Sequence, residues 1–407
     1  MRSAELHLRI FRLYRSGQVG LISVPLPMRA TRARISLENL RHNLRTLYRH
    51  ARRRAGDALA YCPAVKADGY GHGAASVARI AFEEGASAVA VATVGEGGRL
   101  RDAGIDGRII LYSLALPEEA IEIAELGLEP FVADGEYIDA LERAVKGSTR
   151  TDCLSVHLKV DTGMGRIGCR CEDAAELAET AARSPSLRLA GVGTHFPSAD
   201  TDNQDFTRAQ VQRFRRVVEE IRSRGIDPGQ LHAANSGATL EVDEALFDLL
   251  RPGISVYGYY PSHEQKRTLE LRPVMQFESR VVFVKTVEPG ETVSYGRTWT
   301  ASRRTTVATI PVGYADGYNR LLSSCAEMLL FEGESGRPRR VPVAGRVCMD
   351  QTMIDCGPDS TVRRGDRVVL FGADELGPDA EELADLCGTI PYEILSQINH
   401  RVPRIYE

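Results

Sequence analysis

The rhythm of apolar and polar positions along this chain of 407 residues changes twice. From Ser36 the period is helical, with Leu37, Leu40, Leu44, Leu47 and Ala51 on one face and Arg41, Arg45 and Arg49 beside it, and Ser36 is suited to cap the helix. Short apolar runs then alternate with longer amphipathic stretches, as in successive βα units. Eight such runs are centred on residues 60–65, 88–92, 108–112, 128–132, 155–160, 187–192, 231–234 and 254–257. Helices are expected between them, for instance over 117–126 and 204–224, the second with Phe206, Gln210, Phe214, Val217 and Ile221 along one face,. Eight strands with intervening helices predict an α/β fold, a (β/α)8 barrel of the TIM type rather than a doubly wound sheet.

After Tyr260 the rhythm changes again: β-branched runs follow one another without room for amphipathic helices,. Residues 279–287, a turn at Glu288-Pro289-Gly290 and residues 292–295 read as a hairpin; 305–312, 341–347, 352–355 and 367–371 continue a mainly-β module. The expected organisation is a barrel over 38–261 and a β domain made of 28–37 plus 262–407, with 332–337 as a surface loop. The first 27 residues are basic, and their apolar stretch is interrupted by Pro25 and Pro27. They are expected to be a poorly ordered extension rather than a signal peptide, with Met28 as the working initiator.

Composition narrows the function classes. The 51 Lys plus Arg and 55 Asp plus Glu give a formal charge of −4, which supplies no bulk field to gather nucleic acid or an anionic membrane. Eight scattered cysteines without a CxxC pair read as free thiols in a reducing cytoplasm,. No apolar run approaches the roughly 20 residues of a membrane-spanning helix. A small polar ligand fits this balance best, and no metal-binding pattern is evident.

The first segment with chemistry in it follows the first apolar run: Ala64-Val65-Lys66-Ala67-Asp68-Gly69-Tyr70-Gly71-His72-Gly73. Barrel active sites lie at the C-terminal ends of the strands, so Lys66 is expected at the mouth. Burial and nearby cations would lower its pKa and supply the neutral amine that Schiff-base chemistry needs. The glycines after it let backbone approach a ligand closely.

That segment closely resembles the cofactor-binding segment of bacterial alanine racemases. The resemblance continues in order through Lys159-Val160-Asp161-Thr162-Gly163-Met164-Gly165-Arg166-Ile167-Gly168, Thr194-His195-Phe196, Ala234-Asn235-Ser236 and Arg251-Pro252-Gly253-Ile254. It runs on through Val293-Ser294-Tyr295-Gly296, Gly313-Tyr314-Ala315-Asp316-Gly317, Cys348-Met349-Asp350-Gln351 and Pro391-Tyr392-Glu393, covering residues 31 to 405. It implies interconversion of L- and D-alanine, a supply of D-alanine for peptidoglycan, and pyridoxal 5'-phosphate held by Lys66 as a Schiff base. Lys66 would then be one of two bases and Tyr295, entering from the partner of a head-to-tail homodimer, the other. Two bases are needed because racemisation removes a proton from one face of a carbon and returns it to the other.

The same resemblance places Arg251 at the ring nitrogen of the cofactor, where many pyridoxal enzymes have a carboxylate. A guanidinium keeps its protons, leaving that nitrogen unprotonated and the ring a weaker electron sink, which favours proton return over transamination. His195 would bond Arg251 and link it to the Tyr295 hydroxyl. Phosphate contacts fall to Tyr70, Ser236, Gly253, Ile254 and Tyr392, and the substrate carboxylate to Arg166 and the backbone N–H of Met349. Lys159, near Arg166, is expected to be carbamylated, which reverses its charge. The chain departs from the family at Ser36, where an acidic residue is common, and at Phe196-Pro197-Ser198. Three other readings remain at this level: a racemase for serine or lysine, a barrel-type pyridoxal decarboxylase, and a non-enzymatic cofactor carrier. Arg251 speaks against the decarboxylase, and the long β domain with Tyr295 and Met349 against the carrier.

Overall fold

The computed structural model describes residues 29–149, 151–333 and 337–407, and Thr31–Glu407 forms one compact unit. The expected N-terminal extension of 27 residues and the middle of the 332–337 loop lie outside the described residues.

Strand β1 (Arg32–Ile35) leads into the helix Leu37–Ala55. As expected, Ser36 caps it, its hydroxyl accepting the Asn39 N–H at 3.2 Å. Leu40, Leu44, Leu47 and Ala51 are buried along one face, each leucine worth roughly 1.5–3 kcal/mol of burial. Parallel strands then alternate with helices: β2 (Ala60–Tyr61), β3 (Val89–Val91), β4 (Ile109–Leu111), β5 (Glu129–Val132), β6 (Leu154–Lys159), β7 (Leu187–Gly193), β8 (Gln230–His232) and β9 (Leu249–Leu250). Strands β3 to β8 form one sheet in chain order, and β2 pairs with β9. The ring closes through the Ala64–Ala90 bridge on one side and the Asp248 N–H to Leu231 carbonyl bond on the other.

Two expectations are corrected in the barrel. The eighth strand is Leu249–Leu250, and residues Ile254–Tyr257, expected as that strand, form a 3-10 turn. Pro252-Gly253 interrupts the run, and Ile254–Tyr257 is buried on every side, so its apolar character carries no strand period,. Helix Asp205–Ser223 buries Gln210, Phe214, Val217 and Ile221 as expected, but Phe206 is exposed at the first turn.

Beyond residue 274 the strands are β10 (Met275–Arg280), β11 (Phe283–Val287), β12 (Thr292–Val293), β13 (Trp299–Thr300), β14 (Thr305–Ile310), β15 (Glu327–Phe331), β16 (Arg339–Pro342), β17 (Thr352–Gly357), β18 (Arg367–Phe371) and β19 (Arg404–Tyr406). A six-stranded sheet runs β16-β15-β18-β10-β1-β19, and a three-stranded one β11-β14-β17. β1 thus serves the C-terminal sheet, antiparallel to β10 and parallel to β19. The expected hairpin of 279–287 with 292–295 does not form: β11 pairs with β14, and β12 with β13. The Glu288-Pro289-Gly290 turn redirects the chain instead of folding it back, with Gly290 N–H bonded to the Ala301 carbonyl.

Candidate active site

Lys66 leaves the first barrel strand at an unusual turn. Ala67, Asp68, Gly69 and Tyr70 all have left-handed φ (52°, 53°, 62° and 52°), a conformation that costs non-glycine residues about 1–2 kcal/mol each. The turn is held by Glu96, which accepts the Ala67 N–H at 2.7 Å, and by Asp68, which accepts the Ala74 N–H at 2.9 Å. Strain sustained in this way is characteristic of ligand sites.

Lys66, Tyr70, Arg166, His195, Ser236, Arg251, Gly253 and Tyr392 converge on one cavity of about 360 Å³ at the barrel mouth. A second cavity of about 300 Å³ adjoins it, shares Lys66, Arg166, His195 and Arg251, and adds Lys159. Among the described residues no carboxylate lines either one. A larger open groove of about 680 Å³ lies beside helix Asp205–Ser223 and contains none of the predicted site residues. The smaller, more enclosed pair with convergent titratable groups is the better candidate.

The electrostatics suit an anion. Burial, then the Arg166 charge, lower the Lys66 pKa, with Glu96 opposing. Lys159 is 2% exposed, donates to the Val160 carbonyl at 3.1 Å, and is brought down to about 7 by burial and then by Arg251. Burial followed by Arg251 also holds His195 well below its usual range. Arg251 is buried and directs Nη2 to the Thr194 carbonyl and to His195 Nδ1, the latter at 3.3 Å. Its guanidinium carbon lies 5.3 Å from the Tyr112 ring centre.

A small cradle lines the same cavity. The Ser236 hydroxyl accepts the Gly253 N–H at 2.9 Å, and a Cβ on Gly253 would fall 2.5 Å from the Tyr70 hydroxyl. Only glycine leaves that corner open. Ile254, the next residue in the chain, is buried.

Tyr295 and Met349 are not among the lining residues. They are 71% and 52% exposed, on the C-terminal part of the chain. Their two segments are tied together, because the Ser294 hydroxyl donates to the Arg346 carbonyl at 2.7 Å while Ser294 itself is strained at φ 69°.

Sequence reasoning missed Tyr112, which lines both cavities, and the buried polar residues Glu129, His157 and His232. The available signal was a buried polar residue on each of the barrel strands β5, β6 and β8, Glu129, His157 and His232.

Known proteins resemble this chain along most of its length. Residues 35–261 match the family model described as alanine racemase, N-terminal domain, and 274–406 the one described as alanine racemase, C-terminal domain. An alanine racemase of Treponema denticola is 44% identical over 386 residues, covering 93% of this chain and 98% of that protein. The solved alanine racemase of Streptomyces coelicolor superposes with a TM-score of 0.85 at 38% identity, covering 93% of this chain and 98% of that one. An alanine racemase from Bacillus anthracis solved with bound L-Ala-P gives 0.84 at 33% identity, covering 93% and 95%.

Proposed function

The chain belongs to the alanine racemase family, and on that premise we propose that it interconverts L- and D-alanine with pyridoxal 5'-phosphate on Lys66, using Lys66 and Tyr295 as the two bases. The observation that carries this reading is one cavity holding the Lys66 amine, the Arg251 guanidinium and the Tyr70–Gly253 cradle. The residues fit the cofactor. Tyr70, Ser236, Tyr392 and the backbone at Gly253 and Ile254 would hold its phosphate, and Arg251 would serve its ring nitrogen. When bound, the cofactor supplies the electron withdrawal that weakens the α-C–H bond of the amino acid.

The chain's own groups do the rest. The desolvated Lys66 Nζ and the Tyr295 hydroxyl hold and deliver the α-proton from opposite faces. Arg166 and the Met349 N–H bind the substrate carboxylate, and His195 joins Arg251 to Tyr295. A carbamate on Lys159 would give Arg166 an anionic neighbour, and a near-neutral pKa leaves the free amine that such a reaction requires. With an arginine and no carboxylate among the described lining residues, the decarboxylase reading is not favoured.

The exposure of Tyr295 and Met349 supports a head-to-tail homodimer in which each subunit completes its partner's site,. We read the domains as a barrel over 38–261 and a β domain of 28–37 plus 262–407. No helix among the described residues is long and apolar enough to cross a membrane; a cytoplasmic enzyme supplying D-alanine for peptidoglycan fits. The test is racemisation of D-alanine by purified protein, with and without borohydride reduction, followed by mapping of the reduced adduct. The adduct is expected on Lys66. An adduct on another lysine, or release of carbon dioxide in place of racemisation, would refute the assignment.

A further inference from the structure

A row of polar side chains runs through the barrel interior behind Arg251. Arg251 Nη1 meets His232 Nδ1, His232 Nε2 lies 3.0 Å from His157 Nδ1, and His157 Nε2 lies 3.0 Å from Glu129 Oε2. Arg108 closes the row, its Nε and Nη2 on the two carboxylate oxygens at 2.9 and 2.8 Å. Both histidines are fully buried.

Strand β7 makes the room. Gly191 is in register with His157, and Gly193 with His232. A Cβ on Gly191 would lie 2.5 Å from His157 Nδ1, and one on Gly193 would lie 2.4 Å from His232 Nδ1 and 3.1 Å from Arg251 Nη1. Neither glycine has a left-handed φ, so what they supply is space. Phe131 stacks on His232 with ring centres 5.7 Å apart, fixing its plane.

The two ends of this row permit one order of protons. A guanidinium only donates and a carboxylate only accepts. His232 Nδ1 therefore accepts from Arg251, His232 Nε2–H donates to His157 Nδ1, and His157 Nε2–H donates to Glu129. Reversing the order would set an Nδ1–H of His232 against an N–H of Arg251. Burial, then the Arg251 charge, lower the His232 pKa well below its usual value; burial lowers that of His157 against the pull of Glu129. Burial alone would raise the Glu129 pKa, but hydrogen bonds from Arg108 and His157 outweigh it and hold the carboxyl at about 2.

We infer that His157 and Glu129 are positioning residues for the racemisation: they fix the tautomer of His232, which in turn holds Arg251 in place at the cofactor ring. This rests on the assignment of Arg251 to that ring. His157→Leu removes the acceptor for His232. His157→Gln keeps the order, because its amide oxygen accepts from His232 and its N–H donates to Glu129. The double variant R108M/E129L replaces the distal ion pair by apolar groups, a change buried pairs often tolerate.

The experiment is imidazole 15N NMR on the full-length holoenzyme, alongside kcat and KM for alanine. Wild type is expected to show both histidines as neutral Nε2–H tautomers from pH 6 to 9. In H157L, or in R108M/E129L should H157L not fold, His232 Nε2–H is no longer held by an ordered acceptor, and His232 is expected to populate the Nδ1–H form at the expense of the bond it accepts from Arg251,. In either variant kcat should fall about 10- to 100-fold, the cost of one unsatisfied buried group, with KM little changed; H157Q should restore both tautomer and kcat. A folded H157L or R108M/E129L that keeps the His232 tautomer and wild-type kcat would overturn the inference. Absence of a Lys66 adduct in wild type would instead overturn the proposed reaction, and this inference with it.

Discussion

The barrel mouth around Lys66 and the segment carrying Tyr295 are assigned the same task, proton transfer at one carbon, yet their surroundings are opposite. Lys66 sits in a cavity with Arg166 and the buried Arg251, on a strained turn braced by Glu96 and Asp68. Tyr295 stands 71% exposed on a short 3-10 turn. A closed barrel can desolvate a group with its own strands. A tyrosine on the surface of a β domain acquires a comparable environment only when another surface covers it. The strain at Ser294, beside Tyr295, shows that this segment is held in shape before any such covering,.

Removing the barrel half has the largest expected effect. Lys66→Ala should abolish the borohydride-trapped adduct and lower kcat/KM by at least about 10⁴-fold, the upper range for a positioned proton-transfer group; steady-state kinetics and adduct mapping check this. The exposed half is tested by complementation. K66A and Y295F chains, each inactive alone, should recover about a quarter of wild-type activity when co-refolded, as random pairing leaves one intact site in each mixed dimer. If mixing restores nothing, the two halves do not meet across a subunit boundary and the contrast has another cause.

Smaller effects sharpen the comparison within the barrel. Gly253→Ala places a methyl 2.5 Å from the Tyr70 hydroxyl; at roughly 1–3 kcal/mol for such overpacking, cofactor affinity should fall about tenfold or more, measured by equilibrium titration. Lys159 links pH to the site. With its pKa lowered to about 7, the amine is neutral above that pH and protonated below it, so the proposed carbamate is expected to form above pH 7 and to be lost as pH falls through it. Depleting bicarbonate at pH 8 should therefore cost severalfold in kcat/KM, restored by adding it back. Ser36→Ala, at the handover from β1 to the first barrel helix, should lower unfolding free energy by about 1 kcal/mol in denaturant titration while leaving kcat unchanged.

The barrel was legible because each βα unit writes its period locally. Leu40, Leu44 and Leu47 mark a helix face whatever packs on it, and the run ending at Val65 marks a strand. Lys66, Arg251, Tyr70 and Tyr392 were legible as members of ordered motifs, and the cavity does gather them. The eighth strand was misplaced because Leu249–Leu250 is too short to show a period, while the buried turn Ile254–Tyr257 imitates one. The hairpin at Glu288-Pro289-Gly290 was misread because a turn sequence states that the chain bends, not which strand lies beside it.

By itself, then, the sequence determined the alternation of elements, the change to β structure after residue 260 and the motif residues of the site, all of which depend on neighbours close along the chain. Only the tertiary structure decided that Glu129, His157 and His232 form one row, that glycines 191 and 193 leave space for it, and that Tyr295 and Met349 stand apart from the cavity. Those facts follow from the register of β6, β7 and β8 and from the pairing partners of β11 and β12. Strand register depends on contacts between distant segments, and a shift of one residue would turn every inward polar group outward.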